Sequence, residues 1–194
     1  MLNRSILLAS AFRLPGGGAF LPSDLAGLVL WLDADDAATI TKDAGDKVSL
    51  WADKSGQGAD AEQLNASYQP TYVTAGIGGR GCLDFGEDYL NLPDLAGISG
   101  SQSRSVFVVA KRDSQGDDDH YISLGSESIG QAWRFRTSGV NLRIEIQGSG
   151  YTSSITPGTG ANQAACILDG DLLSNHTFWL DGNDSEVASG SSSV

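Results

Sequence analysis

Twenty-four carboxylates, two histidines and two cysteines are the groups in this 194-residue chain suited to acid–base, metal or nucleophilic chemistry. Retaining glycoside hydrolysis needs two carboxyl groups roughly 5 Å apart, yet Glu62, Glu87, Glu127, Glu145 and Glu186 stand far apart in sequence. No G-x-S-x-G elbow occurs, and His120 and His176 alone offer little to a Ser-His-Asp site. Cys82 and Cys166 lie in apolar, strand-like runs without the close spacing of zinc ligands, so they read as buried free thiols. Gly76-Ile77-Gly78-Gly79-Arg80-Gly81 matches G-x-G-x-x-G, but a dinucleotide site needs a helix N-terminus after the glycines. Cys82-Leu83-Asp84-Phe85 reads as a strand instead, so the glycines form a loop between strands.

Asp117-Asp118-Asp119 is the densest acidic cluster, set in a glycine-containing turn. A cation would relieve the repulsion among three adjacent carboxylates, which makes these residues a candidate calcium site, with a solvated hairpin tip as the alternative. Asp33, Asp35 and Asp36 form a weaker cluster that capping of one helical turn explains. Sugar binding calls for exposed aromatics beside loop carboxylates and amides. Trp31, Trp51, Trp133 and Trp179 lie in strands and read as core, whereas Tyr68, Tyr72, Tyr89, Tyr121 and Tyr151 are freer. Tyr151, within Gly148-Ser149-Gly150-Tyr151-Thr152, is the most loop-like and is the candidate carbohydrate-binding residue.

Those groups need a scaffold, and composition points to β structure. Forty per cent apolar and 19% charged residues are globular values, while 25 glycines imply frequent turns. The acidity comes from 19 Asp against 5 Glu, and Asp is the carboxylate that bonds neighbouring backbone N–H groups in turns. A net charge of −12 repels phosphate backbones and anionic lipid, which argues against a nucleic-acid partner. No segment approaches the roughly 20 apolar residues of a membrane helix, so no membrane insertion is expected. Residues 1–19 read as an N-terminal arm and linker: Leu2, Ile6, Leu7, Leu8 and Phe12 need a covering neighbour, and Gly16-Gly17-Gly18 breaks the chain.

From Leu28 onward the chain reads as short strands divided by turn residues, with no sustained helical period. Leu142, Ile144 and Ile146 alternate with Arg143, Glu145 and Gln147, and Trp133 and Phe135 alternate with Arg134 and Arg136, the two runs joined at Ser138-Gly139. Val106-Phe107-Val108-Val109-Ala110 is apolar on both faces, as in a central covered strand. The expectation is an all-β, two-sheet antiparallel β-sandwich over residues 20–188, with residues 189–194 a Ser-rich tail or a truncation point.

Several segments, taken in order, resemble a known family. Leu28-Val29-Leu30-Trp31-Leu32-Asp33-Ala34-Asp35-Asp36, Leu50-Trp51-Ala52-Asp53-Lys54-Ser55-Gly56-Gln57-Gly58, Gln69-Pro70-Thr71-Tyr72, Leu83-Asp84-Phe85-Gly86, Arg104-Ser105-Val106-Phe107-Val108-Val109-Ala110 and Trp179-Leu180-Asp181-Gly182 resemble laminin-G-like domains of the concanavalin A-like lectin/glucanase superfamily. The phrase Pro22-Ser23-Asp24-Leu25-Ala26-Gly27 ahead of them, directly after a short arm, resembles copies found in structural proteins of tailed bacteriophages. The resemblance implies a concanavalin A-like jelly roll with calcium as the one metal to test. The Glu-x-Asp-x-Glu strand of the glucanase branch is missing, so no enzyme is expected. It also implies a virion structural protein, a capsid decoration, head fibre or tail-associated subunit, homo-oligomeric and docked to other virion proteins through its arm, with host glycan as a further partner. The alternative is a secreted or cell-surface carbohydrate-binding module. Members usually end on a further returning strand that is not seen before Val194; the expectation is either a truncated chain or a gap filled by the arm or a neighbouring subunit.

Overall fold

The structure, a computed structural model, describes residues 4–8, 21–95, 98, 102–116, 118–125, 132–146, 149–169, 173–182 and 184–188; of residues 4–8, 173 and 184 it describes the backbone alone. The described residues are all-β, with short 3-10 turns in place of long helices. No helix among them is long and apolar enough to cross a membrane. The chain gathers into two compact units, Ser5–Ala96 and Gly97–Val194 with Met1–Arg4.

In the unit of residues 5–96, strand β1 (Arg4–Leu8) pairs in parallel with β2 (Leu28–Trp31), placing Ile6 opposite Leu30 and Leu7 opposite Trp31. Every β2 residue is buried, as its unbroken apolar run requires. Of the arm residues, Leu2 and Phe12 lie outside the described residues, and the side chains of Ile6, Leu7 and Leu8 do as well. Strands β3 (Ile40–Lys42), β4 (Val48–Trp51) and β5 (Ala61–Glu62) form a three-stranded antiparallel sheet. Strands β6 (Thr71–Ile77) and β7 (Arg80–Asp84) form a hairpin closed by Gly78 and Gly79, both at positive φ (60° and 77°). The G-x-G-x-x-G stretch is therefore a tight turn followed by a strand, and it has no helix N-terminus for a pyrophosphate. Asn91 joins Glu62 of β5 through an isolated antiparallel bridge.

The acidic residues of this unit hold its loops together. The Asp53 carboxylate accepts from the backbone N–H groups of Trp31, Ser55 and Ala59 and from the Ser55 hydroxyl. Lys54 Nζ bridges Asp33 (3.1 Å) and Asp36 (2.8 Å) while standing 4.5 Å from the centre of the Trp31 ring. Asp36 also caps the 3-10 turn Ala37–Thr39 through Ala38 N–H, and Asp35 takes Arg80 and the Gly81 N–H.

In the other unit, β8 (Arg104–Lys111), β13 (Ala161–Leu168), β14 (His176–Leu180) and β15 (Asp184–Val187) form one antiparallel sheet. Strands β9 (His120–Gly125), β10 (Ala132–Ser138), β11 (Asn141–Ile146) and β12 (Ser149–Thr152) form a second, a meander with strand order β9-β10-β11-β12. The connection between β14 and β15 contains Asp181 and Gly182, both at positive φ (51° and 71°). The two sheets face each other across a shared core. Phe135 and Phe178, both fully buried, lie 6.3 Å apart, and Trp133 Nε1 donates to His176 Nε2 at 2.8 Å. Arg104 stands 5.6 Å from the Trp133 ring, and its burial lowers the guanidinium to about 10. Cys166 is a buried free thiol whose burial pushes its ionisation upward.

Candidate functional site

On the meander sheet, β-strand alternation sends Trp133, Phe135, Leu142, Ile144 and Ile146 to the core, so the residues between them face outward. Register then arranges the outer face into two rows. One runs Ser123, Arg134, Glu145, Gly150 across β9 to β12, and the other His120, Arg136, Arg143, Thr152. A bulge on β9 at Tyr121 keeps His120 in its row and brings the Tyr121 ring against Phe135 at 5.2 Å. Burial pushes the Tyr121 phenol up to about 12. Apart from Gly150, every residue in these rows carries a hydrogen-bonding side chain.

Three of the chain's 12 basic residues converge here on one acid. Arg134 Nη1 donates to Glu145 Oε1 (2.8 Å), Arg136 Nη2 to Oε2 (2.6 Å), and Arg143 Nε approaches the same oxygen at 3.4 Å. The side chains are 8%, 12% and 23% exposed, so the charges interact where water screens them weakly. Burial alone would raise Glu145, but hydrogen bonds and charge from the arginines outweigh it and hold the carboxyl below its ordinary 4.5. His120 is lowered, first by desolvation and then by the positive field of Arg136 and Arg134. Arg143 is further fixed by Thr152 Oγ1 at 2.7 Å, and its guanidinium lies on Gly150, where a Cβ would stand 2.4 Å from Nη2.

A second surface belongs to the unit of residues 5–96. Leu64, Tyr68 and Tyr89 are 86%, 44% and 48% exposed, and the two tyrosine rings meet at 5.5 Å. Buried amides hold them in place. Gln69 Nε2 donates to Gln63 O, Gln63 Nε2 to Tyr89 O, and Tyr89 N–H to Tyr68 O.

The residues singled out from sequence have other attachments. Asp117 lies outside the described residues. Asp118 accepts from Gly139 N–H and pairs with Arg136 (3.1 Å), while Asp119 pairs with buried Arg112 (2.6 Å). Among the described residues no group of three or more His, Cys, Asp or Glu side chains is arranged to hold a metal ion. The Tyr151 hydroxyl donates to Glu186, and its ring stacks on Phe178 at 6.2 Å. Sequence reasoning noted charge of both signs outside β10 and β11 but missed the arginine cluster and the tyrosine pair, because both depend on register and on contacts between segments distant in sequence. No family model, curated protein or solved structure matches the chain.

Proposed function

We propose that this chain is a non-enzymatic structural subunit of a virus particle, a capsid decoration, head fibre or tail-associated protein. In this reading a laminin-G-like jelly roll joins its neighbours and meets host-surface glycan. The exposed Tyr68–Tyr89 pair carries the assembly half of the reading. Two aromatic rings and Leu64, held in water by a buried amide network, form the kind of surface that protein interfaces cover. The partners are further copies of the chain and other virion proteins. In this reading the N-terminal arm is a second point of attachment, since the pairing its strand makes with β2 is one that a neighbouring copy's β2 would equally offer.

The carboxylates with the most hydrogen-bond partners are poorly suited to general-acid work. Glu145, Asp53 and Glu186 are held below their ordinary values by their hydrogen-bond partners, whereas a general acid must keep its proton near neutral pH. A calcium ion at Asp118 and Asp119 would have to displace Arg136 and Arg112.

The second reading is a secreted or cell-surface carbohydrate-binding module, favoured by the same tyrosine pair because aromatic rings stack on apolar sugar faces. Light scattering of the full chain over a concentration series, with a glycan array run with and without EDTA, separates the two. A homo-oligomer that Tyr68→Ser and Tyr89→Ser weaken is the expected result. A strict monomer showing calcium-dependent binding to defined glycans would overturn the assembly reading.

A further inference from the structure

The outer face of β9–β12 gathers three guanidiniums around Glu145, with Asp118 as a second carboxylate on Arg136, in a chain whose net charge is −12. Arg143 is the member with capacity to spare. Its Nε reaches Glu145 at a marginal 3.4 Å and Nη1 is bound to Thr152, while Nη2 makes no hydrogen bond among the described residues. Gly150 leaves room for that guanidinium, since a Cβ there would stand 2.4 Å from Nη2 and 2.8 Å from Cζ. The result is a pre-set planar donor beside Arg136, with hydroxyls of Ser123 and Thr152 in the same two rows.

We propose that this face binds the carboxylate of an acidic saccharide, with Arg143 as the donor and Arg136, already held by Glu145, Asp118 and the Thr137 carbonyl, as its neighbour. Guanidinium forks match carboxylate oxygens two at a time, and partial burial strengthens the contact. Glu145 is the internal stand-in: it already shows a carboxylate held by these arginines, and it keeps them in place when no ligand is present. The overall charge selects the ligand class. At long range the acidic surface repels polyanions such as nucleic acid or densely sulfated chains, whereas an otherwise neutral sugar with one anionic group feels mainly the local arginines.

The proposal rests on the glycan-adhesion half of the function given above and is independent of the assembly half. The test titrates the full chain with glucuronate, glucose, glucose 6-sulfate and a heparin oligosaccharide, following arginine side-chain N–H resonances. Saturable binding of glucuronate with shifts at Arg143 and Arg136 is expected, weakened by salt, with no binding of glucose. Arg143→Gln should weaken glucuronate binding by about tenfold or more. Thr152→Val, which frees Arg143 from its support while retaining a strand-forming side chain, should weaken it less. Thermal melting confirms that each variant is folded, and light scattering follows assembly on the same samples. Equal responses to glucuronate and glucose, tighter binding of glucose 6-sulfate or heparin than of glucuronate, or unchanged affinity in both folded variants would overturn the proposal. An intact oligomer without glucuronate binding overturns it and leaves the assembly reading standing.

Discussion

Trp133 is held in the core by a polar contact as well as by packing. Its indole N–H has His176 Nε2 as acceptor, which requires the buried imidazole to be neutral and to carry its proton on Nδ1. His176→Phe keeps a planar ring of similar size but leaves the Trp133 donor buried without that acceptor. The expected cost is about 2 kcal/mol, within the range for an unsatisfied buried donor, read as a lower urea midpoint at unchanged m-value. Adding Trp133→Phe to that variant should recover part of the loss, because the stranded donor is then gone; a double variant less stable by the full sum of both single changes would contradict this account. Alternation in the sequence placed Trp133 inward but gave no sign of a partner 43 residues away, since that pairing exists only once two sheets face each other. Tyr151 illustrates the opposite error. Flanking glycines made it look like a loop residue, yet it lies on strand β12 opposite Ile144 and turns inward to Phe178. Gly150 is small to make room for the Arg143 guanidinium, a demand that neighbouring residues in the sequence do not disclose.

Among the elements, the β10–β11 hairpin was legible because it combines period-two alternation on both strands with a glycine-containing turn. Strands β3, β5 and β12, of two to four residues, were not, since such short runs carry no period and are fixed by their neighbours' hydrogen bonds. Close packing between elements gives a sharper prediction. At Gly81 on β7 a Cβ would stand 2.3 Å from the Ala34 carbonyl oxygen and 2.8 Å from the Tyr72 hydroxyl, and the backbone oxygen has little freedom to move. Gly158, by contrast, has its nearest neighbour at 3.9 Å and does not occupy the positive-φ region. Gly81→Ala should therefore cost about 1–3 kcal/mol by overpacking, whereas Gly158→Ala should be neutral or slightly stabilising because it restricts the unfolded chain. Chemical denaturation of the two variants side by side decides the matter, and equal midpoints would show that β7 yields more easily than its contacts imply. Gly81 also receives the Asp35 carboxylate through its N–H, so its shift would loosen the Asp35–Arg80 pair.

At the scale of the whole molecule, acidic residues dominate the charge and also supply many of the internal ties, so acid should affect solubility and stability together. Asp53, Asp118, Glu145 and Glu186 all titrate below their ordinary values in the folded chain. A carboxyl with a lowered folded value contributes stability that is present above its ordinary value and is lost as pH falls through the lowered one. His120 is lowered too, so the unfolded chain binds its proton first, and stability declines as pH falls below its ordinary 6.5. Calorimetry at low protein concentration, with pH stepped from 8 to 3 (roughly the interval these groups span), should give a shallow fall in Tm below about 6.5 followed by a steeper one below about 4. His120→Asn should remove the first part and leave the second. Glu145→Gln should reduce the second while lowering the Tm at neutral pH, because it weakens the acceptor that three arginines share. Solubility should reach its minimum near the sequence pI of about 4.3, where the charge that keeps the molecules apart has been neutralised. A Tm that rises on acidification would mean that relief of long-range repulsion outweighs the loss of these local ties, and that the carboxylates serve mainly as surface charge.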